Sequence, residues 1–451
     1  MKPSIPKGTR DFGPEQVRKR NFIFTTIETV FTKYGFARIE TPAMESLDTL
    51  TGKYGAEGDQ LLFKVLNNGD FLSKVEPSLL EDKDSSKVLP NISKRGLRYD
   101  LTVPFARFVV MHQNEIQFPF KRFQIQPVWR ADRPQKGRYQ EFYQCDADVV
   151  GSNSLVYEAE LVQIYDEVFH RLNIPVTIKI NHRQILFGIA EKLGIEDQFQ
   201  AITVAIDKMD KIGLSGVKEQ LRMAGLATPH IEWISELLSQ PNLENVEHLL
   251  GDSSAAQEGL LTIKTVFEYL KRTSLHQQIR FDLTLARGLS YYTGCIFEVA
   301  IDTQVINSIQ MGSLGGGGRY DNLTGIFGLS GVSGVGISFG AERIYDVLEA
   351  IDGFPPSTSS SLQLLICSLD QKGLGEAFYI AHILREKGIH CDLYPDAAKL
   401  KKQLKFASDR AIPYCLILGS EELATQLYTL KNMDDGSQAK LKLSDLIDQF
   451  S

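Results

Sequence analysis

The sequence predicts an α+β fold in two parts: a β-rich domain carrying an antiparallel hairpin and interrupted by a helical insertion, then a small α/β domain. Three observations carry that expectation. Residues Phe120 to Gly151 read as an antiparallel hairpin, two β-rich runs around a loop crowded with Arg, Lys, Pro and Gly. From about 195 to 275 the signals turn almost wholly helical, and the β pattern resumes at Gln278, as for helices inserted into a β-rich domain. Beyond the Pro/Ser stretch 353–361, GFPPSTSSS, short apolar strands alternate with helices and end on a DDG turn.

Composition sets the outer limits. With 451 residues, 43% hydrophobic and 10% aromatic, the chain is long enough for two or three packed domains. A formal net charge of -7 excludes a generally basic coat for nucleic acid and leaves room for a local basic surface. The five cysteines, Cys145, Cys295, Cys367, Cys391 and Cys415, stand singly, without CxxC or Cys/His ligand spacing. They read as buried thiols in a reducing compartment. No run of 18 apolar residues exists and MKPSIPKGTRDFGP has no apolar signal core, so the expectation is a soluble, cytoplasmic protein without a membrane partner.

Each element has its own signals. Pro14 is placed to open a helix whose apolar residues Val17, Phe24, Ile27, Val30, Phe31 and Tyr34 recur at helical spacing until Gly35. FARIETPAME then reads as a short strand ending at Pro42. Helix and strand together fit core packing and a dimer-forming unit equally well. The charged, serine-containing segment from Leu72 to Lys94 reads as a surface excursion. In LRYDLTVPFARFVVMHQ, Asp100 and Thr102 fall between a strand and a helix that Pro104 is placed to begin. After the hairpin come an amphipathic helix through SLVYEAELVQIYDEVFHRL, the strand VTIKIN and a helix ending at Gly194. His170 and His182 lie here, and structural roles are the default for both.

The hairpin carries unusual cargo. Arg130, Arg133, Lys136 and Arg138 sit at or near its open end, where guanidinium groups suit a polyphosphate, and Asp146 and Asp148 follow on the return strand, where they suit a cationic or hydrogen-bonding group. Asp100 and Thr102 alone read as a helix-capping pair; beside the hairpin they fit a substrate ammonium group. Arg287 and Gly288 lie between two strand-like runs, followed by Tyr291 and Tyr292. Four glycines precede Arg319, Tyr320 and Asp321, and their strand-like flanks favour backbone packed against a flat ligand over a flexible linker. In GISFGAERI a strand of alternating glycines leads into a helix with Arg343 in its first turn, where a cation opposes the helix dipole and points to an anion nearby. Lys399, Lys401, Lys402 and Lys405 form a modest basic patch, either a solvated face or an RNA contact.

Taken together, GTRDFGP, LRYDLTVPFAR, FQIQPVWRADRPQKGRYQEFYQCDADVVG, LARGLSYYTG, GGGGRYD and GISFGAERI resemble the histidyl-tRNA synthetases, class II aminoacyl-tRNA synthetases, in the family's order and over nearly the whole chain. The RYDLTVP form is similar to the eukaryotic and archaeal type. The resemblance implies a class II antiparallel-sheet catalytic domain over 1–352, with motif 1 at about 15–44, motif 2 at about 120–151 and motif 3 at about 334–350. It makes 195–275 the helical insertion, 353–361 a linker and 362–451 a C-terminal α/β anticodon-binding domain.

Residue by residue, the resemblance implies that Arg130 holds the ATP α-phosphate and that Arg138 and Arg343 engage the bent triphosphate. Asp100, Thr102 and Gln144 correspond to the group that binds the substrate α-amino end. Asp148 and Tyr292 correspond to the imidazole readers. Arg287 corresponds to the arginine that neutralises charge as the histidine carboxylate attacks the α-phosphate. Tyr291, Tyr320 and the glycine run line the histidine pocket, and the loop around Gln135 and Gln140 meets the tRNA acceptor end. The implied substrates are ATP, L-histidine and tRNA(His), with Mg2+ and no firm protein ligand for it, in a homodimer. One departure is Ser290, where many members have aspartate. Two competing readings are a synthetase-like regulatory subunit of ATP phosphoribosyltransferase and a class II synthetase for threonine or proline. The intact arginines and C-terminal domain count against the first, and LARGLSYY and GGGGRYD against the second.

Overall fold

The structure is a computed structural model that describes residues 2–52, 55–135, 137–286, 291–303, 306 and 311–450. The chain divides into two compact units, Met1–Asp11 with Ile23–Gly353 and Phe12–Phe22 with Phe354–Ser451.

The first unit is built on eight strands: β1 Ala37–Arg38, β2 Phe120–Trp129, β3 Glu141–Val150, β4 Val176–His182, β5 Gln278–Phe281, β6 Cys295–Ile301, β7 Gly315–Tyr320 and β8 Gly334–Gly340. Their order across the sheet is β1-β2-β3-β8-β7-β6-β4-β5. The six inner strands run antiparallel, and the edge strands β1 and β5 pair parallel to β2 and β4. The antiparallel body bears out the fold class that the sequence predicts. The glycine run is a strand, with Gly315, Gly316, Gly317 and Gly318 paired on both sides.

Alternation along the strands gives this sheet two unlike faces. On one, Phe123, Ile125, Cys145, Ala147, Val335, Ile337 and Phe339 are buried. The stretch 23–33 of helix α1 (Pro14–Lys33) and helix α2 (Val156–Arg171) pack on that face. Phe31 lies 5.5 Å from Phe123 and 5.8 Å from Phe339 between ring centroids, and Tyr165 lies 4.8 Å from Phe339. The other face carries Arg122, Gln124, Asp146 and Asp148, all buried as well. Burying a row of polar groups is costly unless they are paired, so this face is where function is to be sought.

Several local expectations need correction. The helix after Asp100 runs Thr102–Met111, so Pro104 lies inside its first turn and does not begin it. Proline is tolerated there because the first amides have no intrahelical acceptor. The Asp100 carboxylate instead accepts from the Val103 amide at 3.1 Å. The strand ahead of Pro42 is only Ala37–Arg38, extended by the Ile39 amide donating to the Phe123 carbonyl at 3.0 Å. Within the excursion 72–94, Pro77–Glu81 and Ser85–Ile92 are helices, the second capped by Asp84 and anchored by buried Val88. The insertion is helical, as its composition predicts, from Phe199–Ile206 to Ser254–Leu270.

The second unit holds a five-stranded mixed sheet ordered Cys391–Leu393, Leu364–Ser368, Tyr414–Leu418, Tyr428–Asn432, Gln438–Leu441. Apolar clusters fill both of its faces. The Pro/Ser stretch forms a short turn, Pro356–Thr358, with Thr358 buried and its carbonyl accepting from Arg18 at 2.9 Å. All five cysteines are buried, as expected. No helix among the described residues is long and apolar enough to cross a membrane.

Candidate active site

The polar face of the sheet is written in alternate residues. On β2 these are Arg122, Gln124 and Gln126; opposite them on β3 stand Asp148, Asp146 and Gln144. On β8 the partners of those three are Gly336, Ser338 and Gly340, and β7 sets Gly318 and Gly316 beside the first two. Long polar side chains on two strands thus face short residues on the next two, which leaves a hollow. Gly336 has to be glycine, because a Cβ there would lie 1.9 Å from the Asp148 carboxylate. At Gly318 a Cβ would press on the Tyr292 ring at 2.8 Å.

The hollow has two compartments. The larger, about 370 Å³, is lined by Arg130, Arg138 and Arg343 together with Gln144, Tyr292, Glu298, Ser313, Ser338 and glycines 315–317. The smaller, about 40 Å³, is lined by Asp100, Thr102, Gln144, Asp146, Asp148, Tyr291, Tyr292, Tyr320 and Ser338. Gln144, Tyr292 and Ser338 belong to both, so the small pocket is the inner end of the large cleft.

Arg130 and Arg343 are held by backbone carbonyls. Arg130 donates through Nε to the Tyr99 carbonyl at 3.0 Å, with its guanidinium over the Tyr99 ring at 4.2 Å. Arg343 spans two segments, donating to the Gly137 carbonyl at 3.2 Å and to the Ser313 carbonyl at 2.7 Å. Arg138 is half-exposed, and its Nη1 lies 3.7 Å from Asp132. Carbonyl anchoring orients the Arg130 and Arg343 guanidinium groups, and three arginines at one cleft suit a polyanion entering it.

The inner pocket has the opposite sign. Asp148 accepts from the Tyr320 hydroxyl at 2.7 Å and forms an ion pair with Arg122, Nη2 to Oδ2 2.7 Å. The contact is coulombic more than directed, since none of the Arg122 nitrogens meets an acceptor in hydrogen-bonding geometry. Arg122 also stacks 4.1 Å from the centre of the Phe105 ring. Tyr291 donates to Asp100 at 3.3 Å and meets Tyr292 edge to face at 5.0 Å. Burial raises the Asp148 carboxyl against the pull of Arg122. Burial likewise pushes Asp146 up to about 7, with Arg122 opposing and Asp148 adding. Tyr292 and Tyr320 are held protonated by burial and by the nearby carboxylates. Three carboxylates around one buried guanidinium suit a cationic ligand.

The structure brings together most residues that the sequence singles out. Arg130, Arg138, Arg343, Gln144 and Tyr292 meet in the cleft, and Asp100, Thr102, Gln144, Asp148, Tyr291, Tyr292 and Tyr320 in the pocket. Gln135 and Gln140 lie in the loop outside the cleft lining; the Gln140 side chain donates to the Asp132 carbonyl at 3.0 Å. Arg287, Ser290 and Lys136 lie outside the described residues. The sequence reading passed over Arg122, Ser338 and Arg10. Arg10 stacks on the Tyr139 ring, 3.4 Å to its centre, and bonds the Glu342 carboxylate, bracing the cleft wall. The signal for Arg122 was present: in KRFQIQ the polar residues alternate with buried apolar ones.

Comparison with known proteins gives these compartments a family context. Residues 8–344 match the family described as histidyl-tRNA synthetase, and residues 363–451 match that described as anticodon binding domain. The chain is 53% identical over 455 residues to a histidine--tRNA ligase of Azobacteroides pseudotrichonymphae genomovar. CFP2, covering 100% of this chain and 98% of the relative. It is 51% identical over 453 residues to a histidine--tRNA ligase of Christiangramia forsetii, covering 99% and 98%. Among solved structures, the histidyl-tRNA synthetase from Nostoc sp. PCC 7120 superposes with a TM-score of 0.84 at 29% identity, covering 100% of this chain and 99% of that one.

Proposed function

The chain belongs to the histidyl-tRNA synthetase family, and on that premise we propose that its cleft makes histidyl-adenylate from L-histidine and ATP and passes the histidyl group to tRNA(His). The observation that carries this reading is the junction of a three-arginine cleft with a three-carboxylate pocket. An amino acid with a cationic α-amino end and a polar ring fits the inner pocket, and a nucleotide triphosphate fits the outer cleft.

In the first step a histidine carboxylate oxygen attacks the ATP α-phosphorus, and the bond to the departing pyrophosphate breaks. Little covalent help is needed; orientation and charge neutralisation carry the step. Arg130 holds the α-phosphate, Arg138 and Arg343 take the outer phosphates, and Arg287 neutralises the charge developing at the reacting carboxylate. Asp100, Thr102 and Gln144 hold the α-ammonium group. Asp148 and Tyr292 pair the two ring nitrogens, which penalises analogues that leave those buried groups unpaired. Tyr291 and Tyr320 complete the walls. In the second step a hydroxyl of the terminal tRNA ribose attacks the activated carbonyl and AMP leaves.

Magnesium accompanying ATP fits the donors present. The carboxylates of Glu298 and Glu342 line the cleft, and Mg2+ ordinarily takes one or two carboxylates together with phosphate oxygens and water. Held there, it would add positive charge beside the leaving pyrophosphate. The loop around Gln135 and Gln140 receives the tRNA acceptor end. Residues 362–451 bind the anticodon, with exposed Lys399, Lys401, Lys402 and Lys405 as phosphate contacts. The enzyme works in the cytoplasm as a homodimer, residues 15–44 forming the interface.

Histidine-dependent exchange of pyrophosphate into ATP tests the central claim. We expect exchange with histidine and none with threonine or proline; absence of histidine-dependent exchange sinks the reading. Arg287→Ala is expected to abolish most of the exchange with the fold retained. Light scattering on the purified protein tests the dimer, and a fully active monomer refutes it.

A further inference from the structure

Asp146 is the one carboxylate of the inner pocket to which the roles above give nothing to do. It is 2% exposed and stands midway along the polar row of β3, between Gln144 and Asp148. Gln144 donates through Nε2 to Ser338 at 3.1 Å and lies 3.5 Å from the Asp146 carboxylate. The oxygen of that amide, Gln144 Oε1, is buried without a hydrogen-bond partner. Gln144 and Ser338 are two of the three residues that line both compartments, so this cluster forms the neck where the α-amino and α-carboxylate ends of a substrate have to lie. A buried acceptor with no donor, beside a buried carboxylate, calls for a cationic donor.

On the reading of the preceding section, we propose that Asp146 is a specificity-determining residue: with Gln144 Oε1 it receives the substrate's α-ammonium group, and it gives up a proton as that group binds.

The charges facing Asp146 support the exchange. From β2 come Arg122 and the neutral Gln124; from its own strand, Asp148; from β8, Ser338; from the turn ahead of helix Thr102–Met111, Asp100; from the far wall, Tyr292. Among the described residues Arg122 is the only cation facing Asp146, and it is already paired with Asp148 at 2.7 Å. Empty, the pocket therefore favours a protonated Asp146, and its carboxyl sits at about 7. An arriving ammonium supplies the missing cation and favours the carboxylate. At neutral pH binding then expels protons from this group.

Titration calorimetry of the full-length protein with L-histidine, in buffers of differing ionisation enthalpy at pH 7, reads that proton directly. The same measurement is made on Asp146→Asn, which keeps the shape, and on Ser338→Ala as a second probe of the neck. Histidinol, which keeps the ammonium, and imidazolepropionate, which lacks it, serve as paired ligands. For the native protein we expect proton release and a strong preference for histidinol. In Asp146→Asn we expect the release to vanish, histidinol and histidine to bind on the order of 10- to 100-fold more weakly, and imidazolepropionate to change by less than about threefold. Ser338→Ala should keep the proton release. Equal weakening of both ligands, or unchanged proton release in Asp146→Asn, overturns the proposal while histidine-dependent exchange by the native protein stands. Absence of that exchange in the native protein overturns the functional reading and this proposal with it.

Discussion

Arg122 and Asp148 face each other across adjacent strands, Nη2 to Oδ2 2.7 Å, with the arginine fully buried and the carboxylate nearly so. Removing one partner of such a pair strands a charge in low dielectric, at a cost of about 3–5 kcal/mol. Arg122→Met is therefore expected to lower the unfolding free energy by roughly that amount, read by urea denaturation. Arg122→Met combined with Asp148→Asn should recover much of the loss, because no charge is then left unpaired. Recovery of stability without recovery of histidine-dependent exchange separates the role of Asp148 in the pocket from its role in the fold. A single variant as stable as the native protein refutes the pairing.

The same carboxylate is crowded from the other side by Gly336. An alanine there places a Cβ 1.9 Å from Asp148 Oδ1 and forces the carboxylate away from the Tyr320 hydroxyl, now 2.7 Å distant. Overpacking of this kind costs about 1–3 kcal/mol. Gly336→Ala is expected to raise the KM for histidine by about tenfold or more, the equivalent of one weakened hydrogen bond to a charged group. The KM for ATP should hardly change, since Gly336 does not line the outer cleft. A variant with native KM for histidine contradicts this account of the glycine.

Arg343 invites a different expectation because its two anchors, the carbonyls of Gly137 and Ser313, come from separate segments of the cleft wall. Arg343→Lys keeps the charge and loses the fork that reaches both. Exchange kinetics should show kcat reduced on the order of 100-fold, as for the loss of one preorganised group at a developing charge, with KM for histidine little altered. A lysine variant with native kcat shows that charge alone suffices at this position.

Much of this arrangement was legible in the sequence, and the reasons differ by element. The hairpin showed because its strands alternate and its loop concentrates cations. The glycine run showed as a strand because strand-like residues flank it. Asp100 and Asp148 stood out as acids beside the hairpin, Gln144 and the role of Tyr292 came through resemblance, and geometry then set all four in one hollow. Arg122 and Ser338 were not found. Each acquires meaning from register: Arg122 stands opposite Asp148 and Ser338 opposite Asp146, and a shift of one residue turns either to the other face. Pro104 misled because proline fits anywhere in a first turn, so it marks the neighbourhood of a helix start without fixing the residue.

His182, kept out of the catalytic roles, makes a prediction about acid stability. It is 5% exposed, caps the helix Arg183–Leu193, and accepts the Gln184 amide through Nδ1 at 3.2 Å, which requires a neutral ring. Burial, helped by the Arg319 charge, lowers its pKa to about 4. The unfolded chain titrates near the ordinary histidine value of about 6.5, so between those limits the unfolded state binds the proton that the folded state refuses. Stability from this group is complete above about pH 6.5 and is lost as pH falls toward 4, by about 3 kcal/mol at the lower limit. Asparagine also caps helices and does not titrate in this range. His182→Asn should therefore flatten the decline in unfolding free energy between pH 6.5 and 4 relative to the native protein, measured by denaturant unfolding across that range. Parallel pH profiles for the two proteins place the acid sensitivity on other groups.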